Sequence, residues 1–297
     1  MIENAKIIGY DYPTEDYLEP EARRGSADYR YSRSDLLQIA QCPHKWVAGG
    51  EEKSSRSLDW GQLVDDILLY GGKNIAVQPA TYENQKGETK PWHNGAQFCK
   101  NWNREHSDSI IVSQDKFTDA LQAVETILQN ETAYYLLEDS RKQAMVTGEI
   151  EIDGQRILLK CLIDIVPIKD NTHGRYLADL KTTKTAAIKP WTRSILNFGY
   201  HVQAALSLDM WNAATGEDRD MFAHVIQENA KPHETVVRAL DGTWRSMGRD
   251  AYKNALSKVS RCLTANEWPG YDSRDAIHAV FADGMMMVSP EPWMVLD

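Results

Sequence analysis

The chain has 297 residues, with 43 Asp and Glu against 33 Lys and Arg for a formal net charge of −10. That length suits one elaborated domain with a sizeable core, and the acidic balance excludes a protein that coats nucleic acid through a general basic surface, because phosphate contacts need Lys and Arg. No apolar run reaches the ~18 residues of a membrane span, Met1-Ile2-Glu3-Asn4 opens no secretory pattern, and Cys42, Cys99, Cys161 and Cys262 form no CxxC pair and fit buried thiols; a cytoplasmic protein with no membrane partner is expected.

Residues 1–30 read as a polar leader, acidic through Glu3, Asp11, Glu15, Asp16, Glu19 and Glu21 and interrupted by Pro13 and Pro20. Residues 31–297 read as a single domain. Ser34 is placed as the cap of a helix starting at Asp35, with Leu36, Leu37, Ile39 and Ala40 as its buried face and Pro43 as its stop. Arg33, just outside that cap, is either an ordinary surface arginine or a contact for a terminal phosphate. Over 57–70, Trp60, Leu63, Val64, Ile67 and Leu68 recur at helical spacing. Asp65 and Asp66 flank opposite sides of that stripe, and periodicity does not choose between them. Gly61, one turn before Asp65, allows close approach on that flank. Residues 80–106, with Trp92 and Trp102, read as loop plus a short helix. Ser113 then caps a long scaffold helix reaching about Leu137, with Phe117, Ala120, Leu121, Val124 and Leu128 on one side.

Two hairpins follow. Asp153-Gly154 is a two-residue turn signal that sets Glu149 opposite Leu158 and Glu151 opposite Arg156. Both acids then lie roughly 20 Å along the strand from Asp164, and cross-strand pairing with Arg156 or Lys160 accounts for them. Residues 157–166 are rich in β-branched and apolar types, and 169–174 form a polar turn cluster. A hairpin centred between Asn171 and Thr172 puts Asp164 opposite Asp179, with Cβ atoms about 5 Å apart. Two facing carboxylates repel unless a cation lies between them, and hard oxygen donors suit Mg²⁺ or Mn²⁺. Strand alternation sends Asp179 and Lys181 to one face and Leu180 into the core, which leaves the Leu180 carbonyl as a further oxygen donor.

Residues 180–193 carry Lys181, Lys184, Lys189 and Arg193 with no acid, a basic strip that fits either a DNA-lined cleft or a solvated loop. Residues 191–211 read as one helix with Ile195, Phe198, Val202, Ala205 and Leu206 inward and Tyr200 and Gln203 sharing a face. Strands over 221–227 and 235–240 and an amphipathic helix over 242–265 complete the domain. A tail with Met285, Met286, Met287 and Trp293 is expected to pack in the core.

Asp164 with Asp179-Leu180-Lys181 resembles the signature of the PD-(D/E)XK nuclease superfamily, an acid on one strand and acid-x-Lys on the next. Three further elements match in order. Gly61-Gln62-Leu63-Val64-Asp65 resembles the family's upstream helical element, and Tyr200-His201-Val202-Gln203 resembles its downstream Gln element. Tyr31-Ser32-Arg33-Ser34-Asp35-Leu36-Leu37 with Cys42-Pro43-His44-Lys45-Trp46 resembles the entry helix of the phage RecE (exonuclease VIII) branch. The resemblance implies an α+β fold: a restriction-endonuclease-like mixed sheet flanked by helices, with a helical N-terminal elaboration and a metal-site core at about 57–215. It selects Asp65 over Asp66, and implies metal binding by Asp65, Asp164, Asp179 and the Leu180 carbonyl. It gives Lys181 the orientation of the attacking water and Gln203 a buttressing role. Arg33, Lys184, Arg193 and Tyr200 are candidate DNA contacts. Mg²⁺, or Mn²⁺, is the implied cofactor. The family's iron–sulfur branch needs three clustered C-terminal cysteines where this chain has Cys262 alone, so no such cluster is expected.

The implied activity is 5′-to-3′ degradation of duplex DNA ends in phage-type recombination, by a homo-oligomeric ring that passes the remaining strand to an annealing recombinase. Ser207 stands where the family has Tyr, which leaves room for a non-catalytic DNA-end-binding module. An endonuclease or single-strand-specific nuclease could use the same residues. A surface salt-bridge ladder in an ordinary α+β protein is the unrelated alternative.

Overall fold

A computed structural model describes residues 1–49, 56–168 and 174–271, with the side chains of 56–59 left out. Residues 169–173 of the turn expected at 169–174, and the tail holding Met285, Met286, Met287 and Trp293, lie outside the described residues. The first half runs β1 (Ile2–Gly9), α1 (Thr14–Leu18), β2 (Arg30–Tyr31), α2 (Arg33–Gln41), α3 (Pro43–Val47), α4 (Arg56–Tyr70), β3 (Ile75–Val77), β4 (Thr81–Glu83), β5 (Thr89–Pro91), α5 (Gln97–Glu105) and β6 (Ile110–Val112). The second runs α6 (Gln114–Gln129), α7 (Glu131–Leu137), β7 (Ser140–Ile152), β8 (Gln155–Pro167), β9 (Tyr176–Thr183), α8 (Ile188–Asn197), α9 (Tyr200–Thr215), β10 (Met221–Glu228), β11 (Thr235–Leu240) and α10 (Gly242–Ala265).

Alternation of apolar side chains on β7 to β10 gives the sheet two buried faces, and helices cover both. Its order is β1-β7-β8-β9-β10-β11, with β2 added beside β8. On one face Leu159, Ile163, Leu177, Phe222 and Ile226 pack against Leu36 and Ile39 of α2, Val202 and Leu206 of α9, and Leu256 and Val259 of α10. On the other, Ile165, Ala178, Leu180, Ala223 and Val225 meet Leu63 and Val64 of α4, Ile127 of α6 and Leu136 of α7. The sheet is mostly antiparallel, but β9 and β10 run parallel, so the fold is the mixed, helix-flanked α+β architecture that the sequence implies.

The first hairpin turns at Asp153 and Gly154, both at positive φ (50° and 76°), as a two-residue turn matched to strand twist requires. Its register sets Glu149 opposite Leu158 and Glu151 opposite Arg156, and Arg156 Nε donates to Glu149 at 2.5 Å. That is the ordinary cross-strand pairing, remote from Asp164.

Several expectations are corrected. The segment set apart as a polar leader is built into the fold: Ile2–Gly9 is the edge strand β1, paired with β7, because Ile2 buries while its acidic and polar neighbours face out. The cap of α2 is Ser32, not Ser34. Its hydroxyl and backbone form a reciprocal capping box with Asp35, so Arg33 is the first helical residue rather than a flanking one. Each of the two long helices is broken by a local cap. Asn130 Oδ1 accepts from Ala133 N at 3.0 Å and separates α6 from α7. Gly199, at φ +64°, separates α8 from α9; a Cβ there would lie 2.6 Å from Leu37 Cδ1, so both the backbone angle and the space exclude a larger residue.

Candidate active site

The sheet opens around Asp164. Strands β8 and β9 share the bridge pair Ile165↔Ala178, the register that faces Asp164 with Asp179. Beyond that pair the ladder is replaced by side-chain bonding, Leu180 N donating to Asp164 Oδ2 at 3.3 Å. On the other side, Gln143 of β7 takes a positive φ of 44° and interrupts the ladder between Lys142↔Ile165 and Ala144↔Ile163. Its side-chain amide donates to Asp164 Oδ1 at 3.4 Å. The kink explains why Ile163 and Ile165 enter cores on opposite faces of the sheet. Asp164 therefore sits where backbone pairing fails on both flanks, a place where a side chain can be re-aimed.

Asp179 is 2% exposed. Gln203 of α9 donates to its Oδ1 at 2.5 Å, and Lys181 forms an ion pair with its Oδ2. The Lys181 ammonium lies 5.4 Å from the centre of the Tyr200 ring, which in turn stacks on Trp191 at 5.3 Å. Asp65 arrives from α4 and lines one cavity of about 220 Å³ together with Asp164, Asp179, Lys181 and Gln203. A Cβ on Gly61 would stand 3.1 Å from Thr182 Oγ1, so glycine there brings α4 against β9. Asp66, the alternative, is buried and accepts from Asn74 Nδ2 at 2.9 Å, a local brace behind the helix end. Of the two, Asp65 is the one that lines the cavity.

Burial lifts the Asp65 carboxyl to about 7, against the pull of Lys181. Burial, then the Asp179 charge, also raises Asp164 well above the carboxylate range. Burial pushes Asp179 the same way, but Lys181 and a hydrogen bond from Asp164 outweigh it and hold Asp179 low. Lys181 loses from burial and gains more from Asp179 and Asp164, so it stays charged. Three carboxyls around one ammonium leave a negative excess that protons must relieve when no cation does.

The donor set fits a hard divalent cation. Two buried amide oxygens of residues on the cavity wall, Gln143 Oε1 and Gln203 Oε1, take no hydrogen bond, and such orphaned acceptors call for a cation or its bound water. In an extended strand N–H and C=O of one residue point to the same side; since Leu180 N reaches Asp164, its carbonyl faces the same gap. Among the described residues no group of three His, Cys, Asp or Glu side chains forms a metal cage. Mg²⁺ needs none, because it keeps several waters and takes only one or two carboxylates.

The other expected residues divide. Arg33 lines the 220 Å³ cavity but spends one guanidinium N–H on Phe198 O at 2.9 Å. Lys184 and Tyr200 line a second cavity of about 630 Å³, which shares Asp65, Leu180 and Lys181 with the first. Arg193 is exposed and lines neither. Sequence reasoning missed Gln143 and, from α1, Thr14 and Tyr17, all three lining the smaller cavity, and also His224, which lies behind Asp179. His224 pairs in register with Asp179, is fully buried, and burial holds its imidazole neutral, down to about 3. A histidine in an apolar strand carries no signal of that neighbourhood.

Residues 32–278 match the family model of a PDDEXK-like domain of unknown function (DUF3799). The chain belongs to this PDDEXK-like family. Within the PD-(D/E)XK superfamily, the motif acids and lysine of this chain are the ones its sheet brings together at the split. The crystal structure of a candidate exonuclease from Eubacterium rectale is similar at a TM-score of 0.57 and 16% identity, over 96% of this chain and 98% of that one; at that identity it speaks for the fold. The structure of Rai1 from Candida albicans in complex with pU5-Mn²⁺ is similar at a TM-score of 0.25 and 12% identity, over 77% of this chain and 66% of that one, a level that carries no argument. No curated protein matches the sequence. No helix among the described residues is long and apolar enough to cross a membrane.

Proposed function

We propose that this PDDEXK-like protein is a divalent-cation-dependent deoxyribonuclease that hydrolyses phosphodiester bonds, with Asp164, Asp179 and Lys181 as its working residues. The observation that carries the reading is Asp164 facing Asp179 across a split strand pair with Lys181 paired to Asp179. Asp164, Asp179 and the Leu180 carbonyl would hold Mg²⁺, or Mn²⁺, and Asp65 would complete or flank its shell. The bound ion would lower the pKa of a coordinated water and draw charge from the phosphoryl oxygens.

The chain's own groups do the rest. Lys181, kept charged between two carboxylates, orients the water and meets the charge that builds on phosphorus as the water oxygen bonds to it and the ester oxygen leaves. Gln203 holds Asp179 through its Oδ1 and so acts on the site through that carboxylate. Tyr200 supports Lys181 from its ring face.

The substrate proposed is the end of duplex DNA, cut 5′ to 3′, as the RecE resemblance implies. A ring of subunits and an annealing recombinase as partner belong to the same proposal; encirclement would let an acidic chain hold DNA with a basic lumen only. Incubating the protein with 5′- or 3′-labelled linear duplex, with Mg²⁺ and with chelator, tests the reading. Label released first from 5′ ends, in Mg²⁺ only, is expected. Binding without degradation would favour the end-binding module.

A further inference from the structure

The two cavities flanking Lys181 are not alike. The larger opens among Gln62, Thr183, Lys184, Ser194 and Tyr200. The smaller is walled by Thr14, Tyr17 and Leu18, residues of the five-residue helix α1 that precedes the whole motif set. Helix α1 buries none of its own residues, so its position does not come from a core of its own. It is tied down at three points by the strands and helix that build the site. Lys160 of β8 donates to Tyr17 O and stands 4.9 Å over the Tyr17 ring. Tyr70, at the end of α4, donates to Tyr12 O at 3.0 Å and lies 3.2 Å from Thr14 Oγ1. Asp11 N and Tyr12 N donate to Lys142 O and Gln143 O of β7 at 2.9 and 3.1 Å. Tyr17 is half-buried against the cavity and Leu18 lines its rim while staying 66% exposed, and Glu15, Asp16 and Glu19 beside them are exposed.

Resting on the nuclease reading above, we infer that α1 is a strap that closes one exit from the active site and thereby restricts the enzyme to strand ends. A polynucleotide that continued past the scissile phosphate on this side would have to displace Tyr17 and Leu18 and then run along Glu15, Asp16 and Glu19, where phosphate meets carboxylate. A chain end meets neither obstacle, because nothing of it extends beyond the attacked phosphate except the terminal group. The residues that set specificity are thus outside the catalytic motifs, in the acidic stretch that the sequence alone leaves without a role. The negative charge that looks unfavourable for a DNA enzyme is, at this position, a barrier against internal strand.

The test compares closed circular single-stranded DNA, closed circular duplex and linear duplex of equal length, in Mg²⁺, for the unmodified chain and two variants. One variant replaces residues 13–19 with a Gly/Ser linker. The other, Tyr17→Ser with Leu18→Ser, keeps the backbone bonds that hold the strap and opens its inner side only. The unmodified chain is expected to degrade linear DNA at least about 100-fold faster than either circle. In a variant that melts within a few degrees of the unmodified chain, circle cleavage is expected to rise tenfold or more while attack on linear ends persists. Comparable cleavage of circles and linear DNA by the unmodified chain would overturn the inference and leave the nuclease reading standing. So would circles that stay intact in the Tyr17→Ser, Leu18→Ser variant, or in the linker variant where that one folds. Failure of the unmodified chain to cut any substrate would instead overturn the nuclease reading, and the strap with it.

Discussion

Asp164 and Asp179 are chemically identical and the fold makes them unequal. Asp179 has the Gln203 amide and the Lys181 ammonium on its two oxygens, whereas Asp164 has no cation beside it: it accepts a long amide contact and one backbone N–H and donates to Asp179. Asp179 is therefore the ionised partner and Asp164 the one that holds a proton until a cation replaces it. Lys181→Ala should reduce phosphodiester cleavage by about 100-fold or more in steady-state assays while the melting temperature and cation binding persist; full activity would remove Lys181 from the mechanism. Gln203→Ala should cost roughly 10- to 100-fold in metal affinity or activity, measured as a raised Mg²⁺ requirement. Asp65 supplies the pH dependence. Its folded carboxyl sits near 7, above the ordinary 3.8, so the stability this group contributes is present below the lower value and is lost as pH rises through about 7. In chelator, Asp65→Asn should melt several degrees above the unmodified chain at pH 8, and that advantage should shrink by pH 5.5, on the way to the ordinary carboxyl value. Melting curves that differ equally at both pH values would contradict the assignment.

At the scale of elements, the site depends on where regular structure stops. The ladder break at Gln143 and the one bridge described between β8 and β9 leave a side-chain bond from Gln143 and a backbone bond from Leu180 on Asp164, and α9, starting after Gly199, brings Gln203 to Asp179. Helices α9 and α10 cross so closely that a Cβ on Gly248 would fall 2.1 Å from His201 O. Gly248→Ala should therefore destabilise by about 1–3 kcal/mol, read as a lower denaturation midpoint, and should weaken activity through the displaced Gln203 helix. The strands and their register were legible, because the Asp153-Gly154 turn and the polar cluster between β8 and β9 fix pairing by arithmetic, as Ile165↔Ala178 bears out for the second pair, and alternation fixes faces. The helix breaks were not, since Asn130 and Gly199 each fall inside an unbroken apolar stripe and only contact with Leu37 and the β11 end gives them a reason. Asp65 is chosen over Asp66 by resemblance alone, because the local contact of Asp66 with Asn74 is not written in the helical periodicity.

For the whole molecule, net charge and function look opposed: a chain at −10 is assigned to a polyanion. The opposition is relieved by placement, with Lys181 on both cavities, Lys184 on the larger one, and Glu15, Asp16 and Glu19 exposed beside the smaller. Cleavage should then fall steeply with added salt through the few basic contacts that remain, and a rate unchanged between 50 and about 200 mM salt would point to a different mode of holding DNA. The N-terminal segment was unreadable from sequence because its β1 strand is edge-bound with two register shifts against β7 and its α1 helix is held by hydrogen bonds from distant strands rather than by an apolar stripe. The most direct measurement of the central claim is the release of nucleotides from linear duplex DNA by the unmodified chain and by Asp164→Asn, each with Mg²⁺ and with chelator. The account predicts release by the unmodified chain in Mg²⁺ alone and none by Asp164→Asn at an unchanged melting temperature. Degradation in chelator, or full activity in Asp164→Asn, would contradict it.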